Sequence, residues 1–204
     1  MDKRVERTAE ALRTAVLELA AEQDVATLTA SAVAARAGIN RATFYDHAAG
    51  PAELLARALA TELDAIHDEF VAHVREIAGH ATRTDAEQVV DRYTHALLAH
   101  VQAHLPVYER ALDGGLSAPL ARLLADHVTR TLTEHLTEHP GLMPLDDGTP
   151  PEDVALHARA FATYVGLGTV GALEVWLAAP EPRDPAFFPR VAHIALPAWW
   201  TTPS

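Results

Sequence analysis

Leu28–Leu55 reads LTASAVAARAGINRATFYDHAAGPAELL, and its punctuation divides it into two short helices and the start of a third. Thr29 is a capping residue ahead of a run whose inward positions are Val33 and Ala37. Gly38 supplies the left-handed residue that ends this run, and Asn40 caps the next. The turn is therefore Gly38-Ile39-Asn40, with Ile39 and Phe44 on the core side of the unit. The second short helix carries Arg41, Thr43, Tyr45 and His47. A small helix, a tight glycine turn and a second helix with such side chains form the layout of a helix-turn-helix, whose second helix enters the major groove of DNA.

Outward from this stretch, the chain reads as helices only. Before it, Val5, Ala9, Leu12, Val16 and Leu19 recur at spacings of three and four and predict a supporting first helix. After Pro51, the residues Leu55, Leu59, Leu63, Ile66, Phe70, Val74 and Ile77 predict a helix to about Ala78 that joins the reader to the rest of the chain. Further helices are expected near 84–104, 106–113, 117–139, 151–179 and 185–200, broken at Pro106, Gly114-Gly115, Pro140 to Pro151, and Pro180 to Pro185. PGLMPLDDGTPP is the one long polar connection, a surface loop placed to shape or cover a pocket entrance. Within 151–179, Val154, Ala158, Phe161, Val165, Gly168, Ala172, Val175 and Ala179 form a four-three repeat of mostly small residues. Gly166, Gly168 and Gly171 inside that helix point to close packing or local bending.

Composition bounds the function. A chain of 204 residues with 49% hydrophobic content can bury a sizeable interior. The absence of cysteine removes disulfides, thiolate metal sites and cysteine nucleophiles, which fits a cytoplasmic setting. MDKRVERTAE lacks the apolar segment of a signal peptide, and the apolar run Val165 to Leu173 is too short for a bilayer, so no membrane partner is expected. The formal charge of -12 argues against general nucleic-acid affinity. That charge is uneven: residues 1–55 hold 6 Lys+Arg against 8 Asp+Glu, and residues 56–204 hold 10 against 20. Lys3, Arg4, Arg7, Arg36 and Arg41 make a local positive face possible on the reader.

The order threonine, alanine-rich helix, Ala-Gly-Ile, short turn, Thr-Phe-Tyr, histidine and leucine resembles the amino-terminal signature of the TetR family of transcriptional repressors. Its positions here are Thr29, Ala37, Gly38, Ile39, Thr43, Phe44, Tyr45, His47 and Leu54. Two positions depart from the family pattern, Ala48 where phenylalanine is usual and Pro51 where a phosphate-holding lysine is usual. Gly50-Pro51 nevertheless starts a helix whose free amides suit an anion. The resemblance implies an all-α chain, with a three-helix helix-turn-helix DNA-binding domain over residues 1–50 and a larger helical domain for effector binding and dimerisation over residues 51–204. It also implies a homodimer on double-stranded, pseudo-palindromic operator DNA, released by a small-molecule effector. Its penultimate and last helices would build a four-helix dimer interface. A ligand-insensitive dimeric regulator, or an activator, remains the alternative.

The expected DNA-facing set is Thr29, Ser31, Asn40, Arg41, Ala42, Thr43, Tyr45 and His47. Arg41 and Thr43 suit base edges, Tyr45 and His47 suit phosphates, and Thr29 and Ser31 suit the backbone beside the start of helix two. The expected dimer interface comprises Ala158, Phe161, Val165, Gly168, Ala172, Val175, Phe187, Val191 and Ile194, with Ala198, Trp199 and Trp200 beyond. Candidate ligand-lining residues are Tyr93, Leu97, Tyr108, Phe161, Tyr164 and Trp176, which join apolar bulk to occasional polar handles. His100 with His104, and His135 with His139, have helical ligand spacing but no third ligand predicted by spacing, so no metal and no cofactor is expected. The chain has no GxSxG, GxxxxGK or HExxH, and GLGTVG at Gly166 to Gly171 sits in a helical repeat with no preceding strand, so an enzyme is not expected.

Overall fold

The computed structural model describes residues 3–77, 83–146 and 148–195. These residues form helices α1 (Lys3–Glu22), α2 (Ala30–Arg36), α3 (Arg41–His47), α4 (Pro51–Ile77), α5 (Arg83–Ala103), α6 (Leu105–Arg110), α7 (Ala118–Glu138), α8 (Pro151–Ala178) and α9 (Phe187–Ala195). Short 3₁₀ turns follow α1 at Val25–Thr27 and α7 at Pro140–Leu142. The described residues contain no strand, only an isolated bridge between Leu112 and Leu116, so the fold is all-α.

The chain packs as two compact units. One holds residues to Glu62 together with Val101–Leu120; the other holds Leu63–His100 and the residues from Ala121 onward. Helix α4 runs unbroken from Pro51 to Ile77 and so contributes residues to both.

In the first unit, α1 buries Leu12, Ala15, Val16, Leu19 and Ala20. The apolar stripe is used only from Leu12 onward: Val5 is 46% exposed and Ala9 is exposed, contrary to the periodicity. Val33 and Phe44 are fully buried, whereas Ala37 and Ile39 are half-buried beside the turn. Leu54, Leu55, Ala58 and Leu59 of α4 complete this core. Helix α6 closes on α1, with Tyr108 buried and the Arg110 Nε donating to the Ala21 carbonyl at 2.5 Å. That bond satisfies a carbonyl at the end of α1 that has no partner within its own helix. Arg13 of α1 pairs with Glu62 of α4 at 3.0 Å, and Glu62 accepts from or pairs with His104 Nε2 at 2.6 Å. Helix α6 ends at Arg110, short of the expected residue 113, because the chain turns through Gly114 at φ +68° and Ser117 N donates back to the Ala111 carbonyl at 2.8 Å.

In the second unit, Phe70 and Val74 of α4 pack with Val89 of α5, flanked by Val71 and Tyr93. Helix α8 buries Ala158, Ala162, Gly166, Val170, Leu173, Trp176 and Leu177. Gly166 is the contact point with α7: a Cβ there would lie 2.7 Å from Thr129 Oγ1 and 2.8 Å from the Ala125 carbonyl. Only glycine permits that approach, whereas Gly168 and Gly171 face open space. Helix α8 is long and apolar enough by length and composition to cross a bilayer, and 33% of its most apolar stretch is buried within the chain. After α8, Trp176 Nε1 donates to the Asp184 carbonyl at 3.0 Å, and Asp184 accepts from Ala186 N at 2.9 Å, so α9 begins at Phe187. Ala198, Trp199 and Trp200 lie outside the described residues.

Candidate nucleic-acid interface and ligand cavity

The recognition element is built by local chemistry. Thr29 has extended backbone and its hydroxyl accepts from Ala32 N at 3.1 Å, which satisfies an amide of the first turn of α2. Helix α2 ends at Arg36 with Ala37 as its cap, Gly38 follows at φ +69°, and Ile39 N returns to the Ala34 carbonyl at 3.0 Å. Asn40 repeats the device for α3, its side-chain oxygen accepting from Thr43 N at 2.8 Å. Phe44 anchors α3 inward, so the opposite side of the helix is solvent-facing.

Along this element Asn40, Arg41, Ala42 and Tyr45 are exposed, with Thr29 and Ser31 exposed at the start of α2; Thr43 and His47 are half-buried. The eight residues expected to face DNA thus fall on one small unit, two of them, Thr29 and Asn40, acting as helix caps. Arg41 Nη2 donates to the Tyr45 hydroxyl at 3.1 Å across one helical turn.

Two electrostatic details differ from the sequence expectation. Arg36 is held within the unit by Glu22 and Glu18, both at 3.1 Å, so its charge is compensated instead of being offered to a phosphate. The start of α4, read as an anion site, has the Glu53 carboxylate accepting from Ala49 N at 2.9 Å. Glu53 also faces Arg57 at 3.7 Å, and Arg57 donates to the His47 carbonyl at 2.6 Å. An acidic side chain therefore holds the Ala49 amide just ahead of α4, and the same cluster ties the end of α3 to α4.

The second unit carries a cavity of about 630 Å³ that opens to solvent beside the exposed Tyr164 and Leu167. Phe70 and Val74 of α4 line it, with Val89, Val90, Tyr93, Thr94 and Leu97 of α5, and Val128, Leu132 and His135 of α7. His139 and Leu142 follow from the turn after α7, so the loop expected to shape an entrance does contribute to the wall. Tyr164, Val165, Leu167, Gly168, Thr169 and Ala172 come from α8, and Phe188, Val191, Ala192 and Ala195 from α9. Burial, reinforced by His139, holds the His135 imidazole down to about 4, so it is neutral at pH 7.

Three of the six candidate lining residues, Tyr93, Leu97 and Tyr164, are in this wall. The other three are not. Tyr108 belongs to the first unit and is fully packed there. Trp176 turns its indole to the Asp184 loop, under the Arg183 guanidinium. Phe161 sits half-buried beside His157, one turn before the wall begins at Tyr164.

The expected dimer residues also separate. Ala158 is fully buried within the chain and cannot meet a partner; Val165, Gly168, Ala172 and Val191 line the cavity. Phe161 and Phe187 are half-buried, while Val175 and Ile194 stand 60% and 80% exposed. Helix α8 is apolar on almost every side, so a four-three repeat can be drawn through it in several phases. The solvent-facing one is Leu156, Ala160, Tyr164, Leu167, Gly171 and Val175, of which Leu156, Tyr164 and Leu167 are more than 60% exposed.

A helix-turn-helix with a capped recognition helix, followed by an all-helical unit around a cavity, defines the class as helix-turn-helix proteins. Residues 12–58 match the family of bacterial regulatory proteins, tetR family. Over residues 12–58 the chain is thus similar to the TetR-family helix-turn-helix module, and its fold as a whole resembles that of solved tetR-family regulators. It is 52% identical over 56 residues to the uncharacterized HTH-type transcriptional regulator YxbF of Bacillus subtilis (strain 168), a match covering 27% of this chain and 15% of that protein. Among solved structures it resembles a tetR-family transcriptional regulator from Streptomyces coelicolor, with 18% identity, 95% of this chain and 80% of that one covered, and a TM-score of 0.57. It also resembles the fatty acid degradation regulator FadR from Bacillus halodurans, with 14% identity, 91% and 95% covered, and a TM-score of 0.55.

Proposed function

We propose that this chain is a ligand-responsive transcriptional regulator that acts in the cytoplasm as a homodimeric repressor. In this reading residues 1–50 read DNA and residues 51–204 bind effector and dimerise. The observation that carries it is the presence, on one chain, of an exposed recognition helix in one compact unit and a large apolar cavity in the other. An assembly module without a ligand would fill its core with side chains; an open cavity of this size is in the range of small-molecule sites.

Two copies would pair through the exposed stripe of α8 with Val175 and Ile194, and present their recognition helices about 34–36 Å apart to a pseudo-palindromic operator. Arg41 would read a base edge, with Tyr45 steadying it; Thr29, Ser31 and His47 would contact the backbone. Helix α4 is the coupling element, since Phe70 and Val74 line the cavity and Pro51–Leu55 follow the recognition helix on the same rod. An effector that favours a displaced α4 lowers operator affinity by the factor by which operator lowers effector affinity.

The test is binding of purified protein to its own upstream DNA at two salt concentrations, with Arg41→Ala as control. Salt-sensitive, sequence-selective binding that Arg41→Ala weakens supports the reading. Equal binding to all DNA, or none, removes it.

A further inference from the structure

The wall of the cavity is distinctive for what it lacks. Among the described residues that line it there is no lysine, arginine, aspartate or glutamate, although the chain is 22% charged. Aliphatic and aromatic side chains from α4, α5, α7, α8 and α9 make up most of the surface. The hydrogen-bonding groups are few: the Thr94 and Thr169 hydroxyls, the tyrosines, and the imidazoles of His135 and His139. The two imidazoles sit together, ring centroids 5.0 Å apart, at the end of α7.

A carboxylate or an ammonium drawn among the apolar side chains of this wall would leave water with no charged group of the wall to meet it, and that transfer is costly; Asp68, Arg75, Glu134 and Glu138 line the separate groove that adjoins it at His135. The strongly acidic chain, at -12, adds a general bias against anions. A neutral imidazole, by contrast, offers one N–H donor and one acceptor nitrogen, and satisfies a hydroxyl, carbonyl or ester at no charge cost. His135 is in that form near neutral pH because burial disfavours its protonation.

We propose that the cavity takes an uncharged, predominantly apolar molecule whose hydrogen-bonding end lies at His135 and His139, and that it rejects carboxylates and amines of the same skeleton. The inference rests on the reading of this cavity as the effector site, and it adds the chemical class of the effector.

The experiment uses the full chain at pH 7.5, with the neutral dye Nile red as a fluorescent reporter of the cavity and 1-decanol, decanoate and decylamine as competitors. Ala192→Trp and Thr169→Trp, which fill the space from α9 and from α8, serve as independent blocked variants, each first checked for native helical content. The expected result is a Nile red signal that both blocked variants reduce at least tenfold, displaced by 1-decanol at concentrations at least tenfold below those of either charged probe. If decanoate or decylamine competes as well as 1-decanol, the neutral class is wrong while the effector site stands. If Nile red gives no signal, or a signal that neither folded variant reduces, the cavity is not a ligand site and both readings fall together.

Discussion

Arg41 lies along the ring of Tyr45, its guanidinium carbon 5.4 Å from the ring centroid and its Nη2 donating to the tyrosine hydroxyl at 3.1 Å. Both residues are exposed, and the Tyr45 ring stands edge-on to the buried Phe44 at 5.5 Å between centroids, so the pair is a surface feature braced on the core anchor of α3. A guanidinium held this way loses less freedom when it meets a base edge than one that moves freely. Arg41→Ala is therefore expected to cost about 1–3 kcal/mol of operator binding and to narrow the preference for operator over scrambled DNA. Tyr45→Phe keeps the ring and loses the hydroxyl, so its loss should be smaller. Fluorescence anisotropy on both DNAs at two salt concentrations measures each.

Asn40 separates folding from recognition. Its side-chain oxygen caps α3 through Thr43 N, and a capping residue replaced by alanine costs about 1 kcal/mol. Asn40→Ala should thus lower thermal stability and DNA affinity together. Asn40→Asp preserves the cap and adds a negative charge beside Arg41, so it should melt like the parent while binding DNA more weakly. A parallel loss of stability in Asn40→Asp would show that the cap is not the site of the effect.

The glycines of α8 give opposite predictions from one substitution. In Gly166→Ala the new methyl meets the Ala125 carbonyl, which is backbone and cannot swing away, so about 1–3 kcal/mol of stability should be lost. Gly168→Ala meets nothing within the chain and gains helix propensity of about 1 kcal/mol. Denaturant unfolding of both variants decides the matter, and a Gly168→Ala that is destabilised would mean that a partner occupies the space.

The helix-turn-helix was legible in the sequence because each of its devices is a single residue with a local job. Thr29, Gly38 and Asn40 perform the capping and turning that their chemistry suggests, and Phe44 is the core anchor. What local rules missed was pairing at a distance: Arg36 with Glu18 and Glu22 comes from α1, and nothing in the spacing of α2 announces it. The cavity was legible only in part, since a wall is a property of five helices meeting, and Tyr108 and Trp176 look as suitable as Tyr93 until their own packing is seen. The dimer face has no local signature for a simpler reason: a helix apolar on most sides has no periodicity to break the tie, and only the buried stripe from Ala158 to Leu177, which takes Ala158 out of the expected set, shows which sides are left.

Acid should weaken the second unit before the carboxylates titrate. His127 is 4% exposed and has neither ring nitrogen bonded among the described residues; burial first, then Arg130, lowers it to about 4, and burial lowers His135 similarly. Their ordinary value in the unfolded chain is about 6.5, so as pH falls below it the unfolded state binds protons that the folded state refuses. Stability is complete above that value and declines steadily toward about pH 4. Glu10, Glu22 and Asp184 are lowered by Arg13, Arg36 and Arg190, and their contribution is lost only at lower pH, below their ordinary values near 4. The melting temperature between pH 7 and 5 should therefore fall in the parent and fall less in His127→Leu; equal slopes would remove His127 from the account.

The exposed stripe of α8 makes a prediction about assembly. Leu156, Tyr164, Leu167 and Val175 are spaced at multiples of one to two helical turns, and each is at least 60% exposed. Together with Ile194 of α9 at 80%, they form an apolar surface of the kind that soluble chains cover with a partner. Ala160 and Gly171 lie between them, so a second copy of α8 could approach closely along the seam. A two-fold contact meets every substitution twice, which magnifies the effect of one buried charge. Leu167→Glu should shift the protein from dimer to monomer in light scattering at micromolar concentration, and operator binding should become weak and non-cooperative. Ala158→Ser, fully buried within the chain, should leave the oligomeric state unchanged whatever it does to stability. A Leu167→Glu protein that stays dimeric would place the interface elsewhere.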